Sequence, residues 1–161
     1  MMCKETIWER TKSLLVFYVF SDHDDFQHFR ASLDSALIES NVKRLKVIIQ
    51  VNDPKEAVLK HSLFSYISDK DLNFLTNKIK KKAIVEGQEN IENIRDTEYD
   101  LFLCFGTPTP KILKWLTKVN STRKIGVNTE NYPLFDMNLQ SAANSTDNYV
   151  NFTSEMLNKI I

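Results

Sequence analysis

Glycine is scarce in this 161-residue sequence, at three positions: Gly87, Gly106 and Gly126. Glycines so spaced build neither the Gly-x-Gly-x-x-Gly turn that admits a dinucleotide pyrophosphate nor the Gly-x-x-x-x-Gly-Lys-Ser/Thr loop that cradles phosphates, so both familiar nucleotide motifs are excluded. Cysteine is scarcer still. Cys3 and Cys104 are too few for a disulfide framework, and Cys104, within an apolar run, is expected to be a buried thiol. Net charge is missing too: 21 Lys and Arg balance 21 Asp and Glu. That removes the field expected of a nucleic-acid binder or of a protein drawn to an anionic membrane. The apolar run Leu14 to Phe20 has seven residues, far short of a membrane span, and it lacks the flanks of a signal peptide. A cytoplasmic protein is expected.

What the chain does contain is a repeated alternation. Ser13 to Phe20 is apolar enough for a central strand, and Ser21 or Asp22 can cap a helix whose Phe26, Phe29, Leu33 and Leu37 share one face. Leu45 to Val51, rich in β-branched residues, reads as a second strand, and Asp53-Pro54-Lys55-Glu56 spells a further helix start. Later, Leu101 to Phe105 is a run covered on both faces, followed by Gly106-Thr107-Pro108-Thr109, with Thr107 as the expected cap and Pro108 as the first helical residue. Ile112, Leu113, Leu116 and Val119 give that helix a stripe, and Lys124 to Val127 the next strand. Strand, helix, strand in so few residues is a parallel, right-handed crossover.

The remaining stretches are weaker signals. Residues 1–12 read as a polar leader anchored by Ile7 and Trp8, with room for one helical turn. Leu63 to Ile67 suits a short third strand; Ser68 and Asp71 suit a helix start with Leu72, Leu75 and Ile79 on its face. Lys78, Lys80, Lys81 and Lys82 read as a solvated face, and Glu86 to Glu98 as a helix. Leu134 to Leu139 reads as a last strand, and Tyr149 to Ile160 as a docked C-terminal helix. The whole, residues 1–161, is expected to be a single α/β domain: a three-layer sandwich around a mostly parallel, flavodoxin-like sheet of five to six strands. The order expected is 2-1-3-4-5 with the sixth strand at an edge, or a variant with that last strand antiparallel.

Ligands bind such sheets beyond the carboxyl ends of the strands, at the switch in strand order. The residues falling there are Asp22, His23, Asn52, Gly106, Thr107 and Asn128, and these form the candidate ligand site. The Asp22-His23-Asp24-Asp25 cluster has the ligand types for a divalent metal, but adjacent residues on a turn point different ways. Acids at a helix start are also favoured by the helix dipole alone, so capping is the reading adopted and no metal is assigned. Gly106 to Thr109 could receive an anion at a helix start, although Pro108 and Pro110 remove two donors. No Gly-x-Ser-x-Gly elbow and no cysteine with a neighbouring histidine is present. No cofactor follows from the residues.

Ser68-Asp69-Lys70-Asp71-Leu72-Asn73, Tyr99-Asp100-Leu101-Phe102-Leu103, Arg123-Lys124-Ile125-Gly126-Val127 and Phe135-Asp136-Met137-Asn138-Leu139 resemble an uncharacterised family of short bacterial proteins of unknown function. That resemblance implies an α/β fold and no activity. Asp100 to Val127 is also similar, more locally, to the first domain of heptosyltransferase-like glycosyltransferases, whose second, nucleotide-sugar domain this chain has no room for. Three functions remain open: a domain binding a small ligand or a protein partner, a hydrolase or transferase acting on a phosphorylated substrate, and an interaction protein forming a homodimer through an edge strand or the last helix.

Overall fold

The computed structural model describes residues 5–53, 67, 71–76, 91–130, 132–140 and 146–161, the backbone alone over 146–149. Six strands form its centre: β1 (Ser13–Val19), β2 (Arg44–Gln50), β3 (Leu72–Leu75), β4 (Tyr99–Phe105), β5 (Ser121–Val127) and β6 (Met137–Leu139). They form one sheet in the order β3-β2-β1-β4-β5-β6, and every pairing is parallel. The three-layer α/β expectation is met, and the antiparallel variant is ruled out by the Ile125–Met137 to Val127–Leu139 register.

Strand order differs from the expected 2-1-3-4-5 in one respect. Without β3, the order β2-β1-β4-β5-β6 is that expected order; β3 extends it beyond β2 instead of lying beside β1. The segment that forms the third strand differs as well. Leu72 to Leu75 was expected on a helix face, yet it is a four-residue strand buried along its whole length. Two leucines three residues apart satisfy a helical period as well as a short buried strand does, so periodicity cannot separate them. The strand expected at Leu63 to Ile67 lies outside the described residues except for Ile67, as do the helix start at Pro54 and the lysine cluster.

Helices cover both faces. The seven residues of β1 are nearly all buried, and alternation sends Leu14, Val16 and Tyr18 to one side and Leu15 and Phe17 to the other. The first side is closed by α1 (Ile7–Arg10), α2 (His23–Ile38) and α5 (Thr146–Leu157). Phe26, Phe29, Leu33 and Leu37 of α2 are all buried there, as their spacing predicts. Each such side chain contributes about 2 kcal/mol on leaving water. Tyr18 stacks on Phe29 with ring centroids 4.1 Å apart. Ile7 and Trp8 anchor the single turn of α1, capped by Thr6 and Glu9 in a capping box. The second side is closed by α3 (Ile91–Asp96) and α4 (Pro110–Leu116) with Cys104, Phe102 and Trp115 between them and the sheet.

Two charged residues of α2 grip the chain between β2 and β3. Arg30 Nη2 donates to the Ile67 carbonyl at 3.2 Å, and Asp34 Oδ1 accepts from the Ile67 N–H at 2.8 Å. Lying one helical turn apart, the pair satisfies both backbone groups of one buried residue. No helix among the described residues is long and apolar enough to cross a membrane.

Candidate functional site at the carboxyl edge of the sheet

Chain direction reverses about β1. From β1 the chain moves outward to β2 and β3, then returns to the other side as β4, β5 and β6. With all crossovers of one hand, α2 and α4 must lie on opposite faces, as they do. The loops after β1 and β4 therefore lead to helices on opposite faces, and the carboxyl ends of two such strands are where sheets of this kind receive ligands. Asp22 and His23 follow β1, Asn52 follows β2, Gly106 and Thr107 follow β4, and Asn128 follows β5. The order β2-β1-β4-β5 places these six on four consecutive strand ends.

Each loop leaves the sheet through one more backbone bond. Phe20 N donates to Gln50 O at 2.9 Å, Gly106 N to Val127 O at 3.2 Å, and Asn128 N to Leu139 O at 2.9 Å. Two of the exits need the left-handed backbone: Gly106 has φ +93° and Asn128 has φ +52°, the residue types that reach that region most readily. A Cβ at Gly106 would also stand 3.1 Å from Val19 Cγ2, so β4 exits in close contact with β1. Gly126 serves the neighbouring loop: a Cβ there would fall 2.6 Å from Thr129 Oγ1 and 3.0 Å from Phe135 Cδ2. That contact seats Phe135 against the core on the second side of the sheet, while Tyr132 lies 6.3 Å from it, ring to ring. Partial desolvation, then a hydrogen bond with the Glu130 carboxylate, push the Tyr132 phenol above its usual range.

The acidic cluster after β1 has structural duties. Asp22 is the N-cap of α2, its Oδ1 accepting from Asp25 N at 2.7 Å. Asp25 accepts a hydrogen bond from the buried Tyr18 hydroxyl through Oδ2. Among the described residues no group of three or more His, Cys, Asp and Glu is placed to hold a metal ion. His23 is half-buried, edge-on to Phe20 at 5.1 Å, and its buried Nδ1 has no hydrogen-bond partner among the described residues. His28, in the same helix, is exposed.

The loop after β4 corrects the sequence expectation. The helix begins two residues late: Thr109 is the N-cap, Pro110 is first, and Thr107 is an exposed loop residue. Thr109 makes no side-chain cap. Instead its N–H donates to Gln50 Oε1 at 3.1 Å, a contact that ties the end of β2 to the start of α4. With seven residues and a proline at its head, α4 offers little to an anion. Gln50, almost wholly buried, was missed from sequence. The available signal was an amide directly after the apolar run Val47 to Ile49. Cys104 is buried as expected, and burial pushes its thiol far above the ordinary range, which leaves it inert as a nucleophile.

Clefts among the described residues lie elsewhere. One of about 280 Å³ lies between α1, α2 and α5, lined by Trp8, Glu39, Asn41, Asn151 and Asn158 among others. Another, of about 200 Å³, lies at the amino end of the sheet.

No curated protein and no solved structure matches this chain, and nothing supports the local similarity to heptosyltransferase-like glycosyltransferases. One family model does match, over residues 4–160. The chain belongs to that family, the family of unknown function DUF6913.

Proposed function

We propose that this protein is a ligand-binding α/β domain whose site is the crevice at the carboxyl ends of β1 and β4, bordered by Asp22, His23, Asn52, Gly106, Thr107 and Asn128. The observation that carries the reading is the reversal of strand order between β1 and β4. Supporting it, both left-handed residues described, Gly106 and Asn128, lie on this rim, where they turn the chain off the sheet into loops. The ligand is a small molecule of the cytoplasm: with 21 basic against 21 acidic residues there is no charge excess to draw in nucleic acid. No observation favours a reaction over binding.

Thermal denaturation against nucleotides, nucleotide-sugars, phosphorylated metabolites and divalent cations tests this, with His23→Ala and Asn52→Ala beside the wild type. Binding to the folded state raises the midpoint by mass action. At least one compound class is expected to raise the wild-type midpoint, with the rise lost in the variants. A panel without effect, or a rise that both variants keep in full, would count against the carboxyl edge as the site.

A further inference from the structure

The amino end of the sheet carries a second set of groups, unrelated to the carboxyl-edge crevice. The cleft of about 200 Å³ there is lined by Ile7, Arg10, Thr11, Asp100, Thr122 and Arg123. Two of its polar groups are already engaged. The Thr11 hydroxyl donates to Ile7 O at 2.8 Å, and Asp100 Oδ2 accepts from Lys12 N at 2.9 Å and Ser13 N at 3.1 Å. The guanidiniums of Arg10 and Arg123 and the hydroxyl of Thr122 make no hydrogen bond or ion pair with any described residue. The groups left over are therefore chiefly donors.

A guanidinium presents its N–H groups as a planar fork that matches a carboxylate at two points. Arg10, Arg123 and Asp100 line the same cleft, and their formal charges sum to one positive charge. A monoanion neutralises that sum, whereas a dianion would leave an excess negative charge next to Asp100. Ile7, buried in the wall, offers an apolar contact to whatever body the anion carries. We propose that this cleft binds a small monocarboxylate with a short apolar body, the carboxylate on Arg10 and Arg123 and the apolar end against Ile7. Its position at the amino end separates it from the site proposed above, so each stands or falls alone.

Benzoate is the probe, followed by amide chemical shifts in the full chain, with benzamide and inorganic phosphate as comparators. Saturable shifts are expected at Arg10, Thr11, Thr122 and Arg123, with no movement at Asn52, Gly106 or Asn128. Benzamide, with the same ring and no charge, should produce none. Arg10→Gln and Arg123→Gln should each weaken benzoate by about tenfold, the loss expected for one charged hydrogen-bonding partner. Arg123→Lys should recover part of it. Neither guanidinium holds the fold together, so dispersed spectra are expected of the variants, and the wild-type titrations decide the matter without them. Absence of saturation at tens of millimolar benzoate, equal shifts with benzamide, tighter binding of phosphate, or full affinity in both Gln variants would each overturn the proposal.

Discussion

At the amino end of the sheet the side chains that bind backbone between strands are mostly charged; at the carboxyl end they are the amides of Gln50, Asn138 and Gln140, working beside backbone-to-backbone bonds. Asp100, at the head of β4, accepts two N–H groups ahead of and within β1, and Ser13 Oγ returns the contact by accepting from Asp100 N at 2.9 Å. Arg44, at the head of β2, donates to Glu98 O, and Asp136 Oδ2 accepts from Lys124 N at 2.8 Å. These polar side chains hold register. Across the sheet, Phe20, Val51, Gly106 and Asn128 each extend their strand by one backbone bond, and the chain then turns away, twice through left-handed residues. Charged groups hold the register at one end, and at the other the chain turns off the sheet into loops, which is the edge of the site proposed above.

Substitutions can break this contrast. The largest effect should come from Asp100→Ala, which leaves the Lys12 and Ser13 amides without their acceptor: a loss of about 3 kcal/mol by urea denaturation, with Asp100→Asn losing roughly half as much. An Asp100→Ala protein as stable as wild type would mean that the amino end is not fastened by its side chains. Next comes Gly106→Ala, at about 2 kcal/mol, from the left-handed backbone and the approach to Val19 together. In a Val19→Ala background the steric part should vanish and the dihedral part remain, so the two costs can be read separately. Asp22→Ala should cost about 1 kcal/mol, the value of an N-cap, with Asp22→Ser recovering most of it. Recovery by serine would show that Asp22 serves as a cap in the free protein. A serine variant as unstable as the alanine one would show that its carboxylate does something more.

How much was legible depended on how many residues carried each signal. The α2 face was readable because Phe26, Phe29, Leu33 and Leu37 repeat over several turns, and β4 because Leu101 to Phe105 is an unbroken apolar run. The cap at Asp22 and the anchors Ile7 and Trp8 were readable from residue type and position. Leu72 to Leu75 was not, since four residues cannot distinguish two periods. Nor was the start of α4: Thr107-Pro108 and Thr109-Pro110 repeat the same cap-and-proline signal two residues apart, and the choice fell to Gln50 reaching from another strand. Of the candidate site, sequence supplied the residues at each strand end and not the groups that hold the loops in place, because Gln50 and Val19 act across strands.

The sequence alone determined that strands and helices alternate here and that the sheet is buried on both faces. Uniform apolar runs and helical stripes are local patterns with one low-energy outcome each. It also showed that its three glycines cannot form either of the familiar glycine-rich nucleotide motifs. Only the tertiary structure decided that β3 lies outside β2, that the order reverses between β1 and β4, and that Arg10 and Arg123 line one cleft. Those outcomes depend on which strand edges pair and which surfaces remain uncovered, and contacts between residues far apart in the chain leave no periodic trace in it.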